Sequence, residues 1–103
     1  MDPIRSQFED DPDMLEIVCE FVAEFPAKAA AMEACLSGDD LDHLKVMAHQ
    51  LKGAGGGYGF PQITEAAASL EQALKENVGP GQVKERLGLL CETLAAAQVP
   101  EEA

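Results

Sequence analysis

A chain of 103 residues, 47% apolar and 25% charged, makes one folded domain and has no room for a nucleotide-binding unit beside a substrate-binding one. Its 7 Lys plus Arg stand against 19 Asp plus Glu, a formal net charge of −12, which argues against nucleic acid and anionic membrane surfaces as partners, because both require clustered cations. No apolar run approaches the roughly 18 residues of a membrane span, and the acidic opening MDPIRSQFEDDPD lacks an apolar signal core, so a cytoplasmic monomer is expected.

Ala, Leu, Glu and Met dominate and no segment alternates with a period of two, so the chain reads as helical nearly throughout. Residues 1–10 read as a weakly ordered acidic lead-in, and the ordered core of the single domain is expected over about 12–97. Asp11-Pro12 supplies an N-cap and a first-turn proline for a helix carrying Met14, Val18, Phe21, Val22 and Phe25. Pro26 ends or kinks it, and a second helix is expected from about Ala27 to Leu36. Ser37-Gly38-Asp39-Asp40 is a turn, and a third helix starts near Leu41 and runs into Gly53, Gly55, Gly56, Gly57 and Gly59. Pro61 opens a fourth helix with Ile63, Ala66, Ala67, Leu70 and Leu74 on one face. After the break at 77–81, a fifth places Val83, Leu87, Leu90 and Leu94 on one stripe, and the tail Val99–Ala103 reads as frayed. Short connections favour an all-α, antiparallel bundle of four helices with the leading helix packed on it.

The third helix holds the unusual residues. On a wheel of about 100° per residue, Leu44, Ala48, Leu51 and Gly55 define the buried face, and His49 lies roughly 130° from its centre. His49 therefore points to water, with Lys45, Val46, Lys52, Gly53 and Gly56 around it. No acidic residue lies between Asp42 and Glu65, a window that holds Lys45, Lys52, His43 and His49. Such a patch suits an anion at His49. If the helix continues to Gly57, its four glycines cost roughly 3–4 kcal/mol. Close packing explains Gly55, whereas Gly53 and Gly56 sit outside, where they keep the imidazole open to a second protein. The alternative is that the helix ends at Gly53 and a loop follows. Val46, with Met47 at its edge, offers a small apolar docking surface.

Other chemistries lack their residues. No strand precedes the glycines and no GxxxxGK[ST] occurs, so there is no phosphate-binding loop. His43 and His49 are on different faces, and no inward Glu and His at i, i+3 spacing marks a bundle metal centre. Cys19, Cys35 and Cys91 are odd in number and widely spaced, which argues against a disulfide framework or a zinc site. Tyr58, Phe60 and Ile63 read as core and helix-entry residues, and Glu71 with Lys75 as an i,i+4 surface pair.

Ala48-His49-Gln50-Leu51-Lys52-Gly53, then Gly59, then Leu70-Glu71, resembles the histidine-containing phosphotransfer (HPt) domain pattern, and the resemblance covers about residues 12–97. It implies an up-down-up-down four-helix bundle with an additional N-terminal helix. It implies that His49 is phosphorylated through Nε2, that Lys52 steadies the phosphoryl oxygens, and that Gly53 and Gly56 clear space for a docking receiver domain. Such domains carry a phosphoryl group between aspartates of receiver domains, or of a hybrid sensor histidine kinase, without an ATP site. They need no cofactor of their own, since the receiver supplies Mg²⁺. Lys45 joins this set from the wheel alone. The other reading is a docking module for receiver domains in which His49 is not phosphorylated.

Overall fold

The computed structural model describes residues 2–99. Among these, five helices follow one another: α1 Pro12–Ala23, α2 Phe25–Ser37, α3 Leu41–Gly57, α4 Pro61–Lys75 and α5 Pro80–Ala96. Their starts are written in the sequence. The Asp11 side chain accepts from the Asp13 backbone N–H, the Asp40 side chain from that of His43, and α1, α2, α4 and α5 each have a proline in their first two positions. The second helix starts before Pro26, at Phe25, because a proline costs nothing where the N–H has no intrahelical partner.

α3 packs on α4, α4 on α5, α5 on α2 and α2 on α3, while α1 leans on α2. The core contains the predicted stripes of α3, α4 and α5: Leu44, Ala48 and Leu51, then Ile63, Ala66, Ala67, Leu70 and Leu74, then Val83, Leu87, Leu90 and Leu94. Val18, Phe21 and Phe25 join them as expected and Met32 of α2 besides, while Met14 and Val22 are only partly buried. Phe21 joins the α1–α2 end to the α3–α4 turn, stacking on Tyr58 at 4.3 Å and meeting Phe25 edge-on at 4.7 Å.

The lead-in is not loose. Ile4–Arg5 (β1) pairs in parallel with Ala97–Gln98 (β2), Ile4 and Ser6 are buried, and the core therefore extends beyond 12–97. Ser6 Oγ donates to the Tyr58 carbonyl at 2.6 Å and the Gln7 N–H to that of Gly59 at 2.8 Å. Gly59 has φ +83°, and a Cβ there would stand 2.6 Å from Ser6 Oγ, so glycine is required for this approach. Two-residue strands carry no periodicity to read, which is why the segment passes for a tail. Residues 100–103 of the predicted frayed end lie outside the described residues.

α3 does not end at Gly53. It continues through the glycines to Gly57, with Tyr58 as C-cap. A Cβ on Gly55 would stand 2.8 Å from Thr64 Oγ1 and 2.9 Å from the Thr64 backbone nitrogen, so Gly55 lets α3 and α4 approach. Thr64 uses this proximity to donate to the Lys52 carbonyl at 2.8 Å. Gly53 has nothing within 4 Å of its missing Cβ, and Gly56 has only Thr64 Oγ1 at 3.5 Å, so neither is demanded by packing.

Candidate functional site

His49 occupies the outer face of α3, and its side chain is 66% exposed. The sequence places it there through the register of Leu44, Ala48, Leu51 and Gly55, all buried on the opposite side. Lys45 and Lys52 stand one turn either side, and Val46 is an exposed apolar neighbour. Gly53 and Gly56 are exposed on the same side, while Met47 is half-buried at the rim. Lys45, Val46, His49, Gln50, Glu71 and Lys75 line a shallow depression of about 290 Å³.

Glu71 is not a surface residue. Its side chain is 6% exposed, and it enters the site from α4. Oε2 lies 2.7 Å from His49 Nδ1, Oε1 accepts from Lys52 Nζ, and Lys75 Nζ stands 3.8 Å from Oε2. The predicted Glu71–Lys75 pair is thus the outermost contact of a buried carboxylate with three partners. Nor is the patch free of acid, since the fold brings Glu71 into a window that is empty of carboxylates in sequence. Lys52 is half-buried, with its ammonium tied down by the same carboxylate.

The hydrogen bond from Lys52 holds the Glu71 carboxyl below its ordinary value; burial opposes this, and the His49 bond and the charges of Lys52 and Lys75 add to it. Glu71 is therefore ionised at neutral pH and can only accept. The shared proton must then sit on His49 Nδ1, so that in the neutral ring the lone pair is on Nε2, directed away from the carboxylate. A fixed tautomer, an outward nucleophilic nitrogen and nearby ammonium groups suit attack on an electrophilic phosphorus. They also suit holding the resulting anion.

The family model of the Hpt domain matches residues 16–99. The chain belongs to the Hpt domain family. The matched span runs from inside α1 past the end of α5 and contains every residue of the His49 site. Hpt domains are phosphocarriers of phosphorelay, or two-component, signalling and interact there with receiver domains and kinases. No curated protein and no solved structure matches the chain. No helix among the described residues is long and apolar enough to cross a membrane.

Glu71 is the functional residue that a reading of surface charge misses. The buried stripe of α4 offers a signal, because Glu71 follows Ala67 by four residues and precedes Leu74 by three. A carboxylate on the flank of a buried stripe needs cationic partners.

Proposed function

We propose that this Hpt domain is a cytoplasmic, monomeric phosphorelay carrier in which His49 takes a phosphoryl group from a receiver-domain aspartate and passes it to another. The reading treats α2–α5 as the up-down-up-down four-helix bundle and α1 as the additional N-terminal helix, within one domain over residues 1–103. The observation that carries it is the His49–Glu71 bond, which directs Nε2 outward. Nε2 attacks the phosphorus of the aspartyl phosphate. The N–P bond forms as the P–O bond to the aspartate breaks, and the aspartate leaves as carboxylate. The Nδ1 proton remains, so the phosphorylated ring carries positive charge that the Glu71 carboxylate offsets. Lys52 turns part of its ammonium to the phosphoryl oxygens, and Lys45 adds charge at the rim. Val46 contacts the incoming receiver, and Gly53 and Gly56 leave it room. The receiver brings the Mg²⁺, and the Hpt chain contributes no cofactor and no ATP site.

Incubation with a phosphorylated receiver domain tests this. Acid-labile, base-stable label should appear on the wild type and on His43→Gln, and be absent from His49→Gln. Receiver binding without label on His49 would favour the docking module instead.

A further inference from the structure

The turn between α2 and α3 gathers three other reactive side chains. Cys35 lies in the last turns of α2, Asp40 caps α3, and His43 sits one turn inside it. Cys35 Sγ is 3.6 Å from His43 Nδ1, Asp40 Oδ2 is 3.7 Å from the same nitrogen, and all three ligand atoms lie within 4.8 Å of one another. The turn that brings them together is held by its backbone. The Gly38 N–H donates to the Ala34 carbonyl, that of Asp39 to Leu36 and that of Asp40 to Cys35, with Asp39 at φ +57° reversing the chain. Asp40 Oδ1 accepts from the His43 backbone N–H, which leaves Oδ2 facing the cluster.

Sulfur, carboxylate oxygen and imidazole nitrogen, all lone-pair donors, lie within 4.8 Å of one another. If the Cys35 thiol donates its proton to His43 Nδ1, that nitrogen has none to offer Asp40 Oδ2. A nucleophilic Cys–His–Asp arrangement needs the thiol and the carboxylate on opposite ring nitrogens, but here both face Nδ1. A cation among the three satisfies all of them. In a zinc tetrahedron with bonds of about 2.3 Å to sulfur and about 2.0–2.2 Å to nitrogen and oxygen, the S···N edge is about 3.5 Å and the N···O edge about 3.4 Å. The observed 3.6 and 3.7 Å fall within a few tenths of an ångström of these edges; the sulfur–carboxylate pair lies within 4.8 Å, and the exposed Asp40 side chain closes that third edge on binding.

We propose that Cys35, Asp40 and His43 form a zinc site with its fourth position open to water. Thiolate with imidazole favours zinc over magnesium or calcium, and the carboxylate completes a set whose charge balances Zn²⁺. Cys35 is buried at the edge of the core, while the Asp40 and His43 side chains are 58% and 60% exposed and give the ion its entrance. Cys35 releases its proton to solvent on binding. The ion ties the end of α2 to the first turn of α3 and takes nothing from the His49 site. The sequence argues against a zinc site because it has no CxxC and no histidine pair at helical spacing. The ligands instead come from a helix end, a cap and a first turn, and only the backbone reversal at Asp39 brings them together.

Titrating the full-length, reduced chain with zinc against a chromophoric chelator tests the site. The wild type and His49→Gln should each take up one equivalent, and zinc should raise the melting temperature of both. Asp40→Asn, which keeps a capping side chain, and the exposed-site variant His43→Ala should each weaken uptake at least tenfold and remove that rise, with unchanged helicity by circular dichroism. Cobalt in place of zinc should give a thiolate-to-metal charge-transfer band that Cys35→Ala lacks. Uptake below one equivalent, uptake unaffected by His43→Ala and Cys35→Ala, or uptake lost in His49→Gln would each overturn the assignment.

Discussion

Glu71 Oε2 stands 2.7 Å from His49 Nδ1, across 22 residues of sequence and from one helix to the next. The same carboxylate holds Lys52 with its other oxygen. One buried group thus sets both the tautomer of the histidine and the position of the ammonium beside it.

Replacing Glu71 separates these two duties. In Glu71→Gln the side-chain carbonyl still accepts from His49 Nδ1–H, but the amide cannot hold Lys52. In Glu71→Ala neither bond remains. Transfer to His49 from a phosphorylated receiver should fall modestly in Gln and by roughly 10–100-fold in Ala, the scale seen when a carboxylate that orients a metal-bound imidazole is removed. Equal rates in wild type and Ala would remove Glu71 from the mechanism.

Acid should expose the same carboxylate. Its folded-state pKa lies below the ordinary 4.5 of the unfolded chain, chiefly through Lys52. The unfolded state therefore binds the proton first as pH falls. The stabilisation is fully present above about pH 4.5 and is lost as pH drops through the folded value. Gln mimics the protonated form. Wild type should melt above Glu71→Gln at pH 7, and the gap should close in acid, where the remaining carboxylates affect both proteins alike. A gap independent of pH would mean that the ionised form gains nothing from folding.

The helices and most of the core were legible because caps, prolines and apolar spacing agree at each boundary: Asp40 before Leu41, Pro61 before Ile63, and Val83 to Leu94 at steps of 4, 3 and 4. His49 was legible because its angle on α3 follows from four buried neighbours. Glu71 was legible only as a position of the family pattern and not as the partner of His49, since His49 and Lys52 are on another helix and its surface-like i,i+4 spacing to Lys75 offers a simpler story. Ile4 was not, since a parallel two-residue ladder joins residues 93 positions apart, Ile4 with Ala97, and leaves no local pattern. The close approach at Gly55 could be expected from sequence, but Thr64, the residue that requires it, could not be named.

Lys52→Ala should therefore do more than slow transfer. The substitution removes the main counter-charge of a buried carboxylate, leaving His49 and the more distant Lys75. A loss of about 1–3 kcal/mol in stability is expected, as for hydrogen bonds between charged groups, together with slower transfer. Chemical denaturation of Lys52→Ala and of the double variant Lys52→Ala/Glu71→Gln checks this. The double variant, with no buried charge to leave unpaired, should recover part of the loss.

Gly55→Ala tests the approach of the two helices. Its Cβ would meet Thr64 Oγ1 at 2.8 Å, the Thr64 nitrogen at 2.9 Å and Ile63 Cβ at 3.1 Å. Two of these atoms belong to backbone or to a buried β-branched side chain and cannot swing aside. The overpacking should cost about 1–3 kcal/mol, despite the helix-propensity gain of about 1 kcal/mol. A stabilised Gly55→Ala, measured by urea denaturation, would show that α4 can move away at no cost.

Gly53 should respond in the opposite sense. It lies inside α3, one turn from His49, and a Cβ there meets nothing within 4 Å. Gly53→Ala should stabilise the protein by up to about 1 kcal/mol, since it removes backbone freedom from the unfolded chain without strain. Gly53→Leu should also fold, but its side chain projects beside the imidazole, where a receiver domain must come within bonding distance of Nε2. Transfer should then fall steeply in Gly53→Leu while its melting temperature holds, and small-molecule phosphodonors should still label His49. That last measurement separates obstruction from damage, because a donor without a protein surface has nothing to collide with. Loss of labelling by both kinds of donor would mean that the introduced side chain disturbs His49 itself, and normal transfer from the receiver would mean that docking does not use this face of α3.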